Sequence, residues 1–245
     1  MISEKSIRLL SEIGLLDIAS IVEMQQEMEL YTSMSFSERM DHLISELYQR
    51  KMDAKYKGLM SRAHLRYRNA AIQDIVYRNR GFSKDDIAGI SDPSFIKKGH
   101  NLILRGPVGS GKTYLACAIA NTVGIFRGFR VLYLRCPEFL ENISNLEPLV
   151  FRKYIKRLTG FQILILNEWL TNPLSDEQTA ALLELLELRE RAQVSSFFCT
   201  LYQTDQWLGL LGGGVLAESC IERIIYHAKF INCGEDNMRA QFNRT

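Results

Sequence analysis

The sequence predicts an α/β fold: a parallel sheet flanked by helices, preceded by a small helical domain. Three observations carry this reading. From about Arg66 onward, short apolar strand candidates alternate with helical patterns, and such alternation signals βαβ units, because parallel neighbours need crossover helices. A glycine-rich octapeptide, "GPVGSGKT", lies between one of these strands and the helix that follows. The first 65 or so residues carry apolar positions at spacings of three and four, so residues 1–65 read as a helical domain and 66–245 as the sheet domain.

The elements follow in order. In the N-terminal domain Met40, Leu43, Ile44 and Leu47 recur with a helical period, and "SFSE" (35–38) supplies a capping box in which Ser35 and Glu38 satisfy each other's backbone amides. The sheet domain then reads "NLILR" as a strand, "TYLACAIANTV" as a helix over 114–123, "FRVLYLR" as a strand and "PEFLENI" as a helix. Next come the strand "FQILILN", the helix "SDEQTAALLELLELRE" with Ser175 as N-cap and Gln178 three residues on, the strand "SSFFCT" and the amphipathic helix "CIERIIYHA". The stretch "GLLGGG" (209–214) reads as a flexible surface loop.

Composition bounds the function. With 47% apolar and 24% charged residues the chain has the balance of a soluble globular protein, and runs such as "ILIL" are far too short to span a bilayer. No secretory pattern opens the sequence, so a cytoplasmic protein is expected. The five cysteines (Cys117, Cys136, Cys199, Cys220, Cys233) are widely spaced with no C-x-x-C pair, which argues against a disulfide framework or a zinc site and for buried free thiols. Net charge is only +2, yet between Glu46 and Arg80 nine Lys or Arg stand against Glu46, Asp53 and Asp74. A basic, tyrosine-interleaved segment therefore precedes the sheet domain, and "FRKYIKR" adds a second cluster. Arg50, Lys51, Lys55, Lys57, Arg62, Arg66 and Arg68, with Arg152, Lys153, Lys156 and Arg157, are the candidates for neutralising duplex phosphates; a solvated helical face is the plainer alternative.

The octapeptide matches G-x-x-x-x-G-K-[ST] in the strand-to-helix context that the motif requires. Gly106, Gly109 and Gly111 let the backbone curl around a phosphate, with Pro107, Val108 and Ser110 completing the loop, and the following helix end adds partial positive charge. Lys112 is placed to reach the β and γ oxygens, and the Thr113 hydroxyl to ligate Mg²⁺; ATP and Mg²⁺ are thus the expected cofactors. Such a loop needs a partner strand ending in an acid for the metal-bound water and a Glu to polarise the attacking water. "ILILNE" is that strand, with Asn167 on the metal side and Glu168 as candidate base. Thr200, closing "SSFFCT", could aim its hydroxyl between nucleotide and Glu168 as a sensor, or be an ordinary strand-end threonine. Arg223 could reach a neighbouring subunit's γ-phosphate or simply pair with Glu222 or another acid.

The stretches "LRYRNAAIQDIVY", "GHNLILRGPVGSGKTYLACAIAN", "ILILNEWLTNPL", "FFCTLYQTDQW", "CIERIIYHA" and "GEDNMR" resemble the IstB-like ATPases, helpers of insertion-sequence transposases related to the DnaC helicase loaders within the AAA+ class. The resemblance covers nearly all of 65–239. It implies an AAA+ P-loop NTPase that binds ATP between subunits, oligomerises on duplex DNA without strong sequence preference, bends it and presents it to a partner transposase. By position it implies that Glu168 polarises water, Thr200 is a first sensor, Arg223 a finger and Arg239 a second sensor contacting nucleotide. The family carries Asp where this chain has Asn167, usually Asp in place of Glu222, and commonly Ser at Thr200. Loss of the charge at 167 implies slow hydrolysis with nucleotide binding intact. A DnaC-like helicase loader shares this architecture and is the alternative. A small-molecule kinase with the same loop would instead need a substrate lid and no trans-acting arginine.

Overall fold

The structure, a computed structural model, describes residues 2–239. It divides into two compact units, Met1–Gly58 and Leu59–Thr245, so the division falls slightly before the boundary expected at 65.

The first unit is helical. Helix α1 (Glu4–Glu12) starts at Ser3, whose hydroxyl accepts from the Ser6 amide, and α2 (Asp17–Glu27) follows after Gly14. Helix α3 (Phe36–Ala63) opens on the expected capping box: the Ser35 amide donates to Glu38 at 2.7 Å, and the Glu38 amide to the Ser35 hydroxyl at 3.3 Å. The core here is small, with Ala19, Ile21, Tyr31 and Leu43 buried and Gln25 bonded to the Arg39 carbonyl. Of the apolar positions read from the sequence, Leu43 is buried, whereas Met40 and Ile44 stay exposed.

The second unit adds α4 (Lys84–Ser91), α5 (Pro93–Lys97), β1 (Asn101–Arg105), α6 (Lys112–Ile119), β2 (Val131–Arg135), α7 (Cys136–Ser144) and α8 (Pro148–Leu158). It continues with β3 (Ile163–Trp169), α9 (Asp176–Arg191), β4 (Ser195–Thr200), α10 (Trp207–Leu210), α11 (Gly214–Ile225) and β5 (Ala228–Asn232). All strand pairings are parallel, in the order β2-β3-β4-β1-β5. Strands β3 and β4 are covered on both faces, which is why neither shows the apolar–polar alternation of a half-exposed strand. Because β1 is followed in sequence by β2 at the far edge, the chain leaves a crevice at the carboxyl ends of the strands, the usual place for a ligand in an open parallel sheet.

Four details depart from the sequence reading. Helix α6 stops at Ile119 and the chain passes through one wider π-type turn, Ala120–Gly124, where a β-carbon on Gly124 would press on Ile163 and Val131. Residues 209–214 form no loose loop: they close α10 and open α11, with Leu211 buried and the Leu210 carbonyl accepting from the Leu174 amide. Strand β5 went unread because it starts three residues after α11 ends and buries only Ile231 among its side chains. The β3–β4 ladder also slips by one residue: Asn167 pairs with Cys199 and Trp169 with Thr200, leaving Glu168 unpaired in a bulge at φ +60°.

Candidate functional site

The glycine loop leaves β1 at Arg105 and enters α6 at Lys112, and its shape needs glycine. Gly109 lies at φ +86°, and a β-carbon there would fall 2.5 Å from the Asn237 side-chain oxygen; one on Gly106 would fall 2.6 Å from Ser110 Oγ. The C-terminal segment braces the loop directly, since the Met238 amide donates to the Gly109 carbonyl at 2.9 Å. Lys112 folds onto the loop, its Nζ donating to the carbonyls of Gly106 (2.6 Å) and Pro107 (2.8 Å). Burial pushes its ammonium below the ordinary lysine range, and an anion at this point would act in the opposite direction.

The bulge brings β3 to the loop. In a regular strand, neighbours face opposite sides; with one extra residue at 168, both Asn167 and Glu168 reach the same cavity. The Thr113 hydroxyl donates to Asn167 Oδ1 at 2.7 Å, and Asn167 is buried. These are hard oxygen donors of the kind Mg²⁺ accepts alongside nucleotide phosphates and water, so the pair fits such an ion, though without a carboxylate charge. Glu168 is partly exposed and is held by Arg135 at the end of β2, with Nη2–Oε2 at 2.9 Å; Arg135 also pairs with Glu138. The cavity around these groups has a volume of about 690 Å³. Its apolar wall of Tyr67, Ile75, Val76, Phe82 and Tyr114 suits a base, and Lys112, Thr113, Asn167 and Glu168 form its polar wall.

Comparison with known proteins places this geometry. A family model described as IstB-like ATP binding protein matches residues 8–245. The chain belongs to the IstB-like ATP binding proteins. A protein of Pseudomonas fluorescens assigned as the ATP-binding protein of insertion sequence IS1162 is 30% identical over 192 residues, covering 77% of this chain and 82% of that protein. An insertion sequence ATP-binding protein of Sinorhizobium fredii is 27% identical, covering 86% of each chain. Among solved structures, DnaI aligns with a TM-score of 0.56 at 24% identity, over 70% of this chain and 91% of that one. The DnaC helicase loader aligns at 0.55 and 20%, over 68% and 98%. At such identities these two show the fold alone, a parallel sheet flanked by helices.

The remaining candidates of the IstB-like chain fall in three places. Thr200 does not aim at the cavity as expected: its hydroxyl donates to the Trp169 carbonyl (3.3 Å) and accepts from the Tyr202 amide (3.1 Å), so it ties down the bulge and has no donor left for a phosphate. Arg223 lies at the opposite, amino end of the sheet, where the Asn101 amide reaches its carbonyl; its guanidinium pairs with Glu187 (3.0 Å) and Glu190 (3.4 Å) on α9, not with Glu222. It does not line the cavity at the glycine loop. Arg239 does line the cavity.

The basic candidates also separate. Arg152, Lys153, Lys156 and Arg157 form an exposed face of α8, opposite the buried Ile155 and Leu158, and no salt bridge engages them among the described residues. Lys55, Lys57, Arg62 and Arg68 are exposed as well. Arg50 and Lys51 are engaged inside the first unit, with Glu46 (2.9 Å) and Asp17 (3.3 Å). Arg66 is exposed too; it stands over the Tyr67 ring, 6.0 Å from its centre, and also lines the cavity at the glycine loop. Two residues escaped the sequence reading. Arg135 was read only as a strand end, and Arg189, fully buried, bonds Ser196, Ser195, Leu158 and Phe161, with burial lowering its pKa to about 9. The five cysteines are buried and free, as expected.

Proposed function

We propose that this IstB-like protein is an ATP-controlled helper of transposition that assembles on duplex DNA, deforms it and stimulates a partner transposase. Family membership and the insertion-sequence relatives support the setting. The observation that carries the DNA-binding part is the exposed cationic face of α8, whose Arg152, Lys153, Lys156 and Arg157 have no salt-bridge partner among the described residues and can each approach a backbone phosphate. Lys55 and Lys57 in the first unit and Arg62 and Arg68 in the second are further exposed candidates, while Arg50 and Lys51 contribute only by giving up their present pairs.

In this reading Gly106–Thr113 cradle the ATP phosphates, Lys112 turns from the Gly106 and Pro107 carbonyls to the β and γ oxygens, and Arg239 approaches from the C-terminal segment. Thr113 and Asn167 would hold Mg²⁺, whose chemistry there is to neutralise charge building on the phosphates. Glu168 orients and deprotonates the attacking water once its carboxylate is free of Arg135. Arg223 acts across a subunit boundary, a role that its place at the amino end of the sheet, away from the cavity, supports. Asn167 keeps the shape and hydrogen bond of the expected Asp but not its charge, so the chain binds ATP, assembles and hydrolyses slowly. The likeness to DnaC and DnaI concerns the fold, and no residue here singles out a helicase as partner.

Light scattering of the full chain with ATP and duplex DNA tests this. Growth in mass that needs both ligands, together with increased strand transfer when the element's transposase is added, is the expected result. A chain that remains a monomer with ATP and DNA sinks the reading.

A further inference from the structure

Arg80 closes the basic segment ahead of β1 and belongs to no motif discussed above. Its Nε donates to the Cys233 carbonyl at 2.8 Å and its Nη2 to the Ser110 carbonyl at 2.8 Å, while the guanidinium carbon sits 4.8 Å from the centre of the Phe82 ring. The first acceptor directly follows β5; the second is inside the phosphate loop. A β-carbon on Gly111 would lie 3.4 Å from Nη2 and 3.6 Å from Nη1, so the guanidinium rests against the left-handed residue that opens α6. The head group is therefore fixed at three points: two carbonyls and an aromatic face.

Its charge is not matched in kind. No salt bridge reaches Arg80 among the described residues, and its two hydrogen bonds use only part of a five-donor fork. The cavity wall it shares also carries Arg66, Lys112 and Arg239, against Asp74 and Glu168, and Glu168 is already paired with Arg135. Partly desolvated like charges repel, and such a surplus is relieved by an anion between them.

We propose that Arg80 is a nucleotide-binding residue: pinned by the Ser110 and Cys233 carbonyls, it turns its remaining N–H groups to the polyphosphate and holds the loop in its receptive shape. This rests on the ATP-binding reading of the same cavity and extends it. A lysine could replace the charge but not the fork, because one ammonium cannot span both carbonyls in a fixed plane and still face a phosphate.

The test uses the full chain and four variants, Arg80→Ala, Arg80→Lys, Arg80→Gln and Lys112→Ala, titrated calorimetrically with ATP and with ADP and melted with and without ATP. Arg80→Ala should weaken both nucleotides at least about tenfold, the scale of a lost hydrogen bond to a charged group. Arg80→Lys should recover less than half of that loss, and the rise in melting temperature caused by ATP should shrink in both. Wild-type affinity in Arg80→Ala overturns the proposal, as does a lower melting temperature of the nucleotide-free variant with its ATP-induced rise intact, which marks a packing residue. Should Arg80→Ala fail to fold, Arg80→Gln and Arg80→Lys answer the same question. Lys112→Ala separates the two ideas: loss of binding there with none at Arg80 refutes this assignment alone, whereas a wild-type chain that binds no ATP removes the reading beneath it.

Discussion

The Thr113 hydroxyl donates to Asn167 Oδ1 across 2.7 Å, joining the first turn of α6 to the end of β3. A carboxylate oxygen would accept the same bond and add a negative charge beside the metal. Groups that tune a metal from this distance typically change affinity or activity about 10 to 100-fold. Asn167→Asp should therefore raise DNA-stimulated turnover at least about tenfold while changing nucleotide affinity far less, as read from steady-state hydrolysis at saturating Mg²⁺ and ATP. Equal rates for the two forms would mean that Glu168 and the loop suffice without a charge at this position.

Arg135 presents the opposite case, a cation restraining the group that should act. With its Nη2 at 2.9 Å from Glu168 Oε2, it competes with water for the carboxylate. Arg135→Ala, made in the Asn167→Asp background so that rates are measurable, should increase hydrolysis without DNA several-fold and narrow the ratio of stimulated to basal turnover. Glu168→Gln in that background should abolish both. A fall in basal turnover on removing Arg135 would instead show that the arginine orients the carboxylate productively.

Arg223 is held by Glu187 and Glu190 at the amino end of the sheet. Arg223→Ala should leave ATP affinity of the isolated subunit unchanged and weaken ATP-dependent assembly and turnover, because the side chain would act only across a subunit boundary. Partly exposed pairs of this kind contribute at most about 1 kcal/mol, so the variant should remain folded. Reduced ATP affinity in a strictly monomeric sample would contradict that placement.

For DNA, the quantity to read is the salt slope. If Arg152, Lys153, Lys156 and Arg157 each neutralise a phosphate, every change to Ala should flatten the dependence of log K on log salt by about one, and equally for unrelated sequences. An unchanged slope across the four would remove α8 from the interface.

What the residues disclosed, and what they withheld, follows from the range of the forces involved. The glycine loop, the caps at Ser35 and Ser175 and the strands β1 to β4 are set by local backbone chemistry or by runs of apolar residues, so they are legible in the string of letters. The Arg135–Glu168 pair joins residues 33 apart, and the Arg80–Cys233 bond residues 153 apart; no spacing rule announces either. Arg189 was hidden for a different reason. An arginine at the end of an amphipathic helix reads as solvated, and only the packing of α9 on the ends of β4 and α8 shows that its guanidinium is wholly enclosed by carbonyls and a serine. The role of Thr200 stays open in the sequence because the hydroxyl of a strand-end threonine can turn to backbone as readily as to ligand, and the slip in the neighbouring ladder accompanies its bond to the Trp169 carbonyl.

That slip has a consequence for how this site tolerates change over generations. Asn167 and Glu168 share one cavity only because β3 is one residue longer than its partner demands. Exchanging letters within the bulge alters chemistry by degrees, whereas losing one residue there would mend the ladder and turn whatever stood at 168 to the other face. The chemistry of this site therefore depends on the count of residues in the strand as well as on their identity, so that losing one letter here changes more than exchanging one.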